Sequence, residues 1–407
     1  MTTKTDDRFF SGAVLLAIAL VWLVLFAGCA TAPPQRAVSK AATVTCGAAL
    51  GHYLDSTANG SADPRYDRAF AGIRLTWRGR PWLLVNRGNE IQLWDVTDPA
   101  RPVLRSTSNF NIPNQGDSDY DLLAFAVCDD CRWGIAWYKL GTVTFDLGTS
   151  SQPTWAAKRY YPGATSGLGG ATWSHAGTQW LATSSLGGDC GIGSTLYTVS
   201  GLDTRIPYGC IIAGPRPVTV ARGIYDRGSV YLIDSSTRLY RYLAGAAGLT
   251  YQAEMGRASY GGNSWTGLDA VPGILVVAST LGTVLWDTAD PALPIQTATI
   301  PGAAGVATVA PPLLVTGLAT ADPHRERVYD ISDPAAPVEL DANLWPDEHA
   351  FAWPESATLI GGVGYFWRYS IAETFDLAGC VEPAPVAELF HDGWESGGLG
   401  AWDEVVP

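Results

Sequence analysis

The side chains able to do chemistry are few and scattered. Cysteine gives the strongest signal: Cys46, Cys128, Cys131, Cys190, Cys210 and Cys380 remain once Cys29, near the amino terminus, is set aside. An even set in an oxidising compartment reads as a disulfide framework, with fifteen pairings open. Position favours one of them. Cys46 and Cys380 bracket the globular part, Cys190 and Cys210 flank a hairpin-like segment, and Cys128 and Cys131 form C-x-x-C. Cys128-Asp-Asp-Cys131 has a rival reading as a thioredoxin-like redox site. That site opens a helix in a βαβ unit, whereas this run lies between two strand-like stretches. A structural zinc lacks a second C-x-x-C or a paired histidine, so no metal is expected. Asp117-Ser-Asp119-Tyr-Asp121 alternates like a calcium loop. It lacks the Gly at the sixth position and the Glu at the twelfth, where Cys128 stands, so a solvated loop is the plainer reading. The five histidines are spread along the chain, and no G-x-S-x-G, P-loop or H-E-x-x-H occurs. No cofactor is expected and no catalytic residue is assigned.

Composition says what kind of element must position these groups. Gly and Pro number 45 and 26 in 407 residues, and Trp alone numbers 16, which points to many turns and to β structure. Only 16% of residues are charged, too few for a disordered chain or a coiled coil. Net charge is −13 and lysine occurs four times, so no nucleic acid is expected as a partner.

A repeat runs through the chain. Trp94-Asp95-Val-Thr-Asp98-Pro99-Ala-Arg-Pro102 is nearly copied at Trp286-Asp287-Thr-Ala-Asp290-Pro291-Ala-Leu-Pro294 and at Tyr329-Asp330-Ile-Ser-Asp333-Pro334-Ala-Ala-Pro337. Phe145-Asp146 and Phe375-Asp376 are weaker copies, while Tyr197-Thr198 and Tyr240-Arg241 keep only the aromatic. Seven aromatics thus recur at intervals of 43 to 52 residues, the size of a propeller blade. Within one unit, strands are expected near Trp265–Val271, Ile274–Ala278, Thr283–Asp287 and Ile295–Ile300, separated by Pro272-Gly273, Leu281-Gly282 and Asp290-Pro291. In the D-P turn the Asp side chain bonds nearby backbone N–H groups and Pro presets φ at the next position. The expected fold is all-β: a β-propeller of seven blades, each of four antiparallel strands. Two stacked sandwiches are the alternative, and they leave the regular unit unexplained.

Innermost strands are expected to begin near Tyr66, Ser118, Thr165, Pro215, Asn263, Pro301 and Asp347. Arg68, Asp119, Asp121, Trp265 and His349 then fall at or near those starts, where the channel mouth of a propeller lies. Together they offer a cation, carboxylates, an aromatic face and an imidazole, a set suited to a sugar or peptide. An acid–base pair is a second use. Ordinary channel-lining polarity with ordered water is the plain reading. If residues 43–50 supply the outer strand of the last blade, Cys46 and Cys380 meet and lock the ring.

Three resemblances follow. Residues 9–32 carry no charge, and the apolar run ends in Phe26-Ala27-Gly28-Cys29. This resembles a bacterial lipoprotein signal, with lipid attached at Cys29, although Phe26 replaces the usual Leu and the start is not basic. An uncleaved anchor, or cleavage after Ala32, are the alternatives; all three place the bulk of the chain outside the cytoplasm. Ala30 after the Cys resembles the outer-membrane sorting type. The repeat itself resembles the LVIVD repeat of secreted and lipid-anchored bacterial proteins, over roughly residues 62–382. The last twenty residues resemble the F-x-D-G-F-E-S-G-x-L-x-x-W element of secreted bacterial proteins. The organisation expected is a signal over 1–28, a tether over 29–43, the propeller over 44–383 and an acidic tail over 384–407. The LVIVD resemblance implies a β-propeller outside the cytoplasm and no known reaction. Because a complete repeat carries no recognisable catalytic constellation, the expected function is that of a non-catalytic, monomeric cell-envelope lipoprotein that binds a protein or glycan. A glycan hydrolase or lyase at the channel mouth and an outer-membrane assembly factor are the alternatives.

Overall fold

In the computed structural model, the described residues are 47–53, 69–87, 90–109, 122–138, 141–148, 157–162, 169–184, 190, 193–257, 267–279, 282–302, 304–318, 326–340, 356–368 and 371–381. They form seven four-stranded antiparallel sheets and one two-stranded hairpin, with a single short 3-10 turn at Ala378–Cys380. Each sheet is one blade of a seven-bladed propeller. The innermost strands are Ala69–Trp77, Leu122–Ala126, Gly170–His175, Val220–Asp226, Leu268–Val271, Ala304–Ala310 and Ser356–Ile360, for blades 1 to 7. All seven begin after the positions expected from sequence. The connections before them are rich in polar residues and Gly, and nothing local marks where pairing starts. In blade 5 the remaining strands, Ile274–Ser279, Gly282–Asp287 and Ile295–Pro301, lie where the turn residues placed them.

The apolar runs are explained by burial on both faces. Seven hydrophobic clusters occur, one in each gap between neighbouring blades. Side-chain alternation divides a single strand between two gaps. In blade 1, Trp82 and Leu84 pack toward blade 2, while Leu83 and Val85 pack toward blade 7. In blade 5, Ile274, Val276 and Ala278 face blade 6, and Leu275 and Val277 face blade 4. A strand buried on both sides reads as a continuous apolar run, which is how these stretches look in the sequence.

The D-P signature ends the third strand and shapes the turn to the outer one. Asp95 accepts the Thr97 N–H at 3.0 Å, and Asp98 accepts the Ala100 N–H at 3.1 Å. The same pair of Asx turns recurs at Asp287 and Asp290 and at Asp330 and Asp333. The residue after the first Asp (Val96, Thr288, Ile331) is buried and donates its N–H to a carbonyl at or just before the start of the second strand. Blades 3 and 4 lack the signature and turn differently. Gly201 pairs with Thr204, and Gly245 with Gly248, so two-residue hairpins replace the longer turn. The two degenerate units are therefore full blades.

The D-P turn also holds the ring together. Blade 4 grips the turn of blade 5: Ser229 Oγ donates to the Pro291 carbonyl at 3.1 Å and Arg241 Nη1 to the Ala292 carbonyl at 2.8 Å. The Tyr365 hydroxyl of blade 7 donates to the Pro99 carbonyl in the turn of blade 1. Closure comes from the amino-terminal side. Ala48–Tyr53 pairs antiparallel with Ile371–Asp376, from Ala48 opposite Asp376 to Tyr53 opposite Ala372, and completes blade 7 as its outer strand.

Two disulfides join pairs of described cysteines. Cys128 joins Cys131 in the turn between the innermost and second strands of blade 2. Cys190 joins Cys210, tying the start of the third strand of blade 3 to the end of its outer strand. Cys380 is also disulfide-bonded. The cysteine expected opposite it, Cys46, lies outside the described residues, as do Cys29, the signal, the tether and the acidic tail.

Candidate functional site

The innermost strands enclose a cavity of about 580 Å³ along the ring axis, lined by residues from all seven blades. Gly169 and Gly170 line it from blade 3. A Cβ on Gly170 would lie 2.1 Å from the Ala182 carbonyl oxygen and 2.7 Å from the Trp137 ring. Only the bare backbone lets blades 2 and 3 approach this closely.

One side of the cavity is stitched by a polar clamp. Arg74, in the innermost strand of blade 1, donates to the Val309 carbonyl at 2.7 Å and the Leu359 carbonyl at 3.1 Å. Its other terminal nitrogen pairs with Asp269 at 2.8 Å and reaches the Ala270 carbonyl at 3.3 Å. Asp269 in turn accepts the Thr308 hydroxyl and the Val309 N–H, each at 2.9 Å. One guanidinium thus spans blades 1, 5, 6 and 7, with its charge balanced by one carboxylate.

At the far end of the innermost strands the turns supply further charges. Asp226 is bound by Arg227 at 3.1 Å, and Arg227 also donates to the Thr288 carbonyl of blade 5. Asp129 accepts the Gly79 N–H at 2.7 Å and so ties blade 2 to blade 1. Cys128, Asp130 and Cys131 lie close enough to suggest a metal cage. The two sulfurs are already joined to each other, which removes them as thiolate ligands. The same disulfide sits in a strand-to-strand turn, without the helix that a thioredoxin-type site opens.

Arg222 differs from every other charged group in the channel. It is 6% exposed and lines the cavity from blade 4, yet Nε and Nη1 have no hydrogen-bond partner among the described residues. Burial alone pushes its pKa down to about 10.

Arg68, Asp119, Asp121, Trp265 and His349 lie in the connections ahead of the innermost strands, outside the described residues. The channel groups that sequence reading passed over are Arg74, Asp269, Thr308 and Arg222. A signal for them existed. Phe70-Ala-Gly-Ile-Arg74-Leu and Val220-Ala-Arg222-Gly-Ile each set a charge inside an apolar run, and a charge there must find a partner or face the axis.

No family model matches the chain, and no curated protein matches it. Solved structures do. The WD40 domain of Neurospora crassa Pan2 is similar with a TM-score of 0.53 at 8% identity, over 82% of this chain and 95% of that one. The β-propeller domain of Myceliophteria thermophila Cps50 (Swd1) is similar with a TM-score of 0.52 at 9% identity, over 81% of this chain and 99% of that one. At such identities the likeness concerns the fold, and the fold that the chain shares with these domains is the β-propeller.

Proposed function

We propose that this protein is a non-catalytic cell-envelope lipoprotein of LVIVD type, anchored through Cys29, whose propeller rim binds a protein partner. One observation carries the reading. The residue just after the second Pro of the D-P-x-x-P turn is an exposed β-branched apolar side chain in each of the three full copies. Val103 is 46% exposed, Ile295 64% and Val338 56%. Each occupies the same register, opposite the Asp that ends the third strand. Leu104 and Leu293 extend the patch in blades 1 and 5. Blades 5 and 6 are neighbours and blade 1 follows beyond blade 7, so the same apolar position recurs along one side of the rim. Aliphatic side chains at a sheet edge suit a protein surface, whereas a glycan is held by aromatic faces and polar groups.

The compartment is supported by disulfide usage, which fits an oxidising space. Within the described channel, Asp269 and Asp226 are committed to Arg74 and Arg227, so neither is a free carboxylate.

The test places a photo-crosslinking residue at Ile295 or Val338 in the full chain expressed in cells, with Glu254 as a control on the outer strand of blade 4. A discrete adduct at the two rim positions is expected, absent at Glu254 and abolished by Val103→Asp. Equal adducts at all three positions, or none at the rim, would reject the rim as the binding surface. Cys29→Ser should release the chain from the membrane fraction; retention there would reject the anchor.

A further inference from the structure

We propose that the central channel binds a small monocarboxylate, held by Arg222. The first argument comes from pseudo-symmetry. Four innermost strands carry a bulge near their start: between Ala69 and Ala71, Leu122 and Ala124, Val220 and Arg222, and Ala304 and Val306. The residue after the bulge is Ala71 in blade 1, Ala124 in blade 2 and Val306 in blade 6. Blade 4 alone places a charge there. Ring geometry therefore does not require an arginine at this level, since three blades meet the same backbone demand with small apolar side chains.

The second argument is electrostatic. A guanidinium cannot shed its proton at ordinary pH, so a buried one needs an anion or a full set of acceptors. Arg74, in the same channel, has both. Among the described residues Arg222 has neither: Nε and Nη1 are shut off from solvent without a partner there, and no carboxylate bears on its charge. Nη2 is the guanidinium nitrogen that is not shut off in this way, and Arg222 lines the cavity. An anion entering the channel meets Nη2, and a turn of the guanidinium in the 580 Å³ space brings a second nitrogen to its other oxygen.

The chemistry of the wall selects the anion. One arginine balances one negative charge, so a monoanion fits better than a phosphate dianion. Asp129 and Asp130 line the same cavity without a cation on them among the described residues, and they disfavour a second negative charge. Phe125, Val127, Ile224 and Leu268 give an apolar surface for a short hydrocarbon tail.

The experiment is titration calorimetry of the detergent-extracted full chain with the sodium salts of acetate, butyrate and hexanoate, and with inorganic phosphate, at fixed ionic strength. Saturable binding with a Kd of about 10 mM or tighter is expected for hexanoate, weakening toward acetate. Arg222→Met should weaken it at least tenfold and Arg222→Lys by less, with both variants as stable in chloride as the wild type. The proposal is overturned if no monocarboxylate binds, if phosphate binds as tightly as hexanoate, or if Arg222→Met binds normally. Should that variant fail to fold, carbon-13 NMR of carboxylate-labelled hexanoate with the wild-type chain decides the point: an unshifted signal overturns the proposal.

Discussion

Replacing Arg74 by Met should cost the ring about 3 kcal/mol. The figure follows from what the guanidinium holds. Its loss strands the Val309 and Leu359 carbonyls, which accept from it at 2.7 and 3.1 Å, and leaves Asp269 without its cation. A stranded buried acceptor costs about 1–3 kcal/mol, and breaking a fully buried ion pair costs about 3–5 kcal/mol. Both side chains here are 19% exposed, so water replaces part of what is lost, and the lower end applies. Asp269 also keeps the Thr308 hydroxyl and the Val309 N–H. The assay is equilibrium unfolding in guanidinium chloride, followed by tryptophan fluorescence, for wild type, Arg74→Met, Asp269→Asn and the double variant. The double variant should lose at least about 1 kcal/mol less than the two single losses added together, because each single change spoils the same contact. Full additivity, or an Arg74→Met loss below about 0.5 kcal/mol, would refute the idea that this clamp carries the channel.

Other expectations follow from the same geometry. Gly170→Ala should destabilise by about 3 kcal/mol or more, because its Cβ would meet the Ala182 backbone at 2.1 Å; a normal thermal midpoint would contradict this. Cys190→Ser paired with Cys210→Ser opens a loop of 20 residues and should cost about 3 kcal/mol in chain entropy, read by the same denaturant titration. Burial raises the Asp95 carboxyl, but hydrogen bonds from Thr97 and Arg105 outweigh it; the Arg132 contact, stronger than burial, lowers Asp146. Both pKa values end below the ordinary 3.8, so their contribution is whole above that value and fades as pH falls through the folded values. Asp95→Asn should therefore flatten the stability curve in acid; an unchanged acid limb would count against these contacts. Deleting residues 48–53 should leave a species that unfolds at lower denaturant and aggregates through the exposed third strand of blade 7, visible by light scattering.

What was legible in the sequence was local. Asp98-Pro99 and its copies could be read as turns because an Asx turn is closed by a side chain and an N–H two residues on. Trp82–Val85 could be read as a buried strand because both of its faces are apolar. The start of each innermost strand was not legible, since no Gly or Pro stands directly before Ala69 or Leu122 in the sequence. The Arg74–Asp269 pair joins residues 195 apart and needs the ring to close before it exists. Arg222 was visible as a residue, but its isolation is a property of what packs around it. Blades 3 and 4 were legible only through Tyr197 and Tyr240, because the Asp is missing there and tight hairpins take over the task that the D-P turn performs elsewhere.

The strand that completes blade 7 sets an order of events during synthesis. Ala48–Tyr53 leaves the ribosome first and pairs with Ile371–Asp376, made roughly 320 residues later. At about 5–20 residues per second that interval is roughly 15–65 s. Throughout it, six blades can assemble while one ribbon waits with a free edge. A nascent chain stalled anywhere before residue 371 is thus an open arc with two unmatched ends, the state in which a holding chaperone or a second copy of the chain would find it.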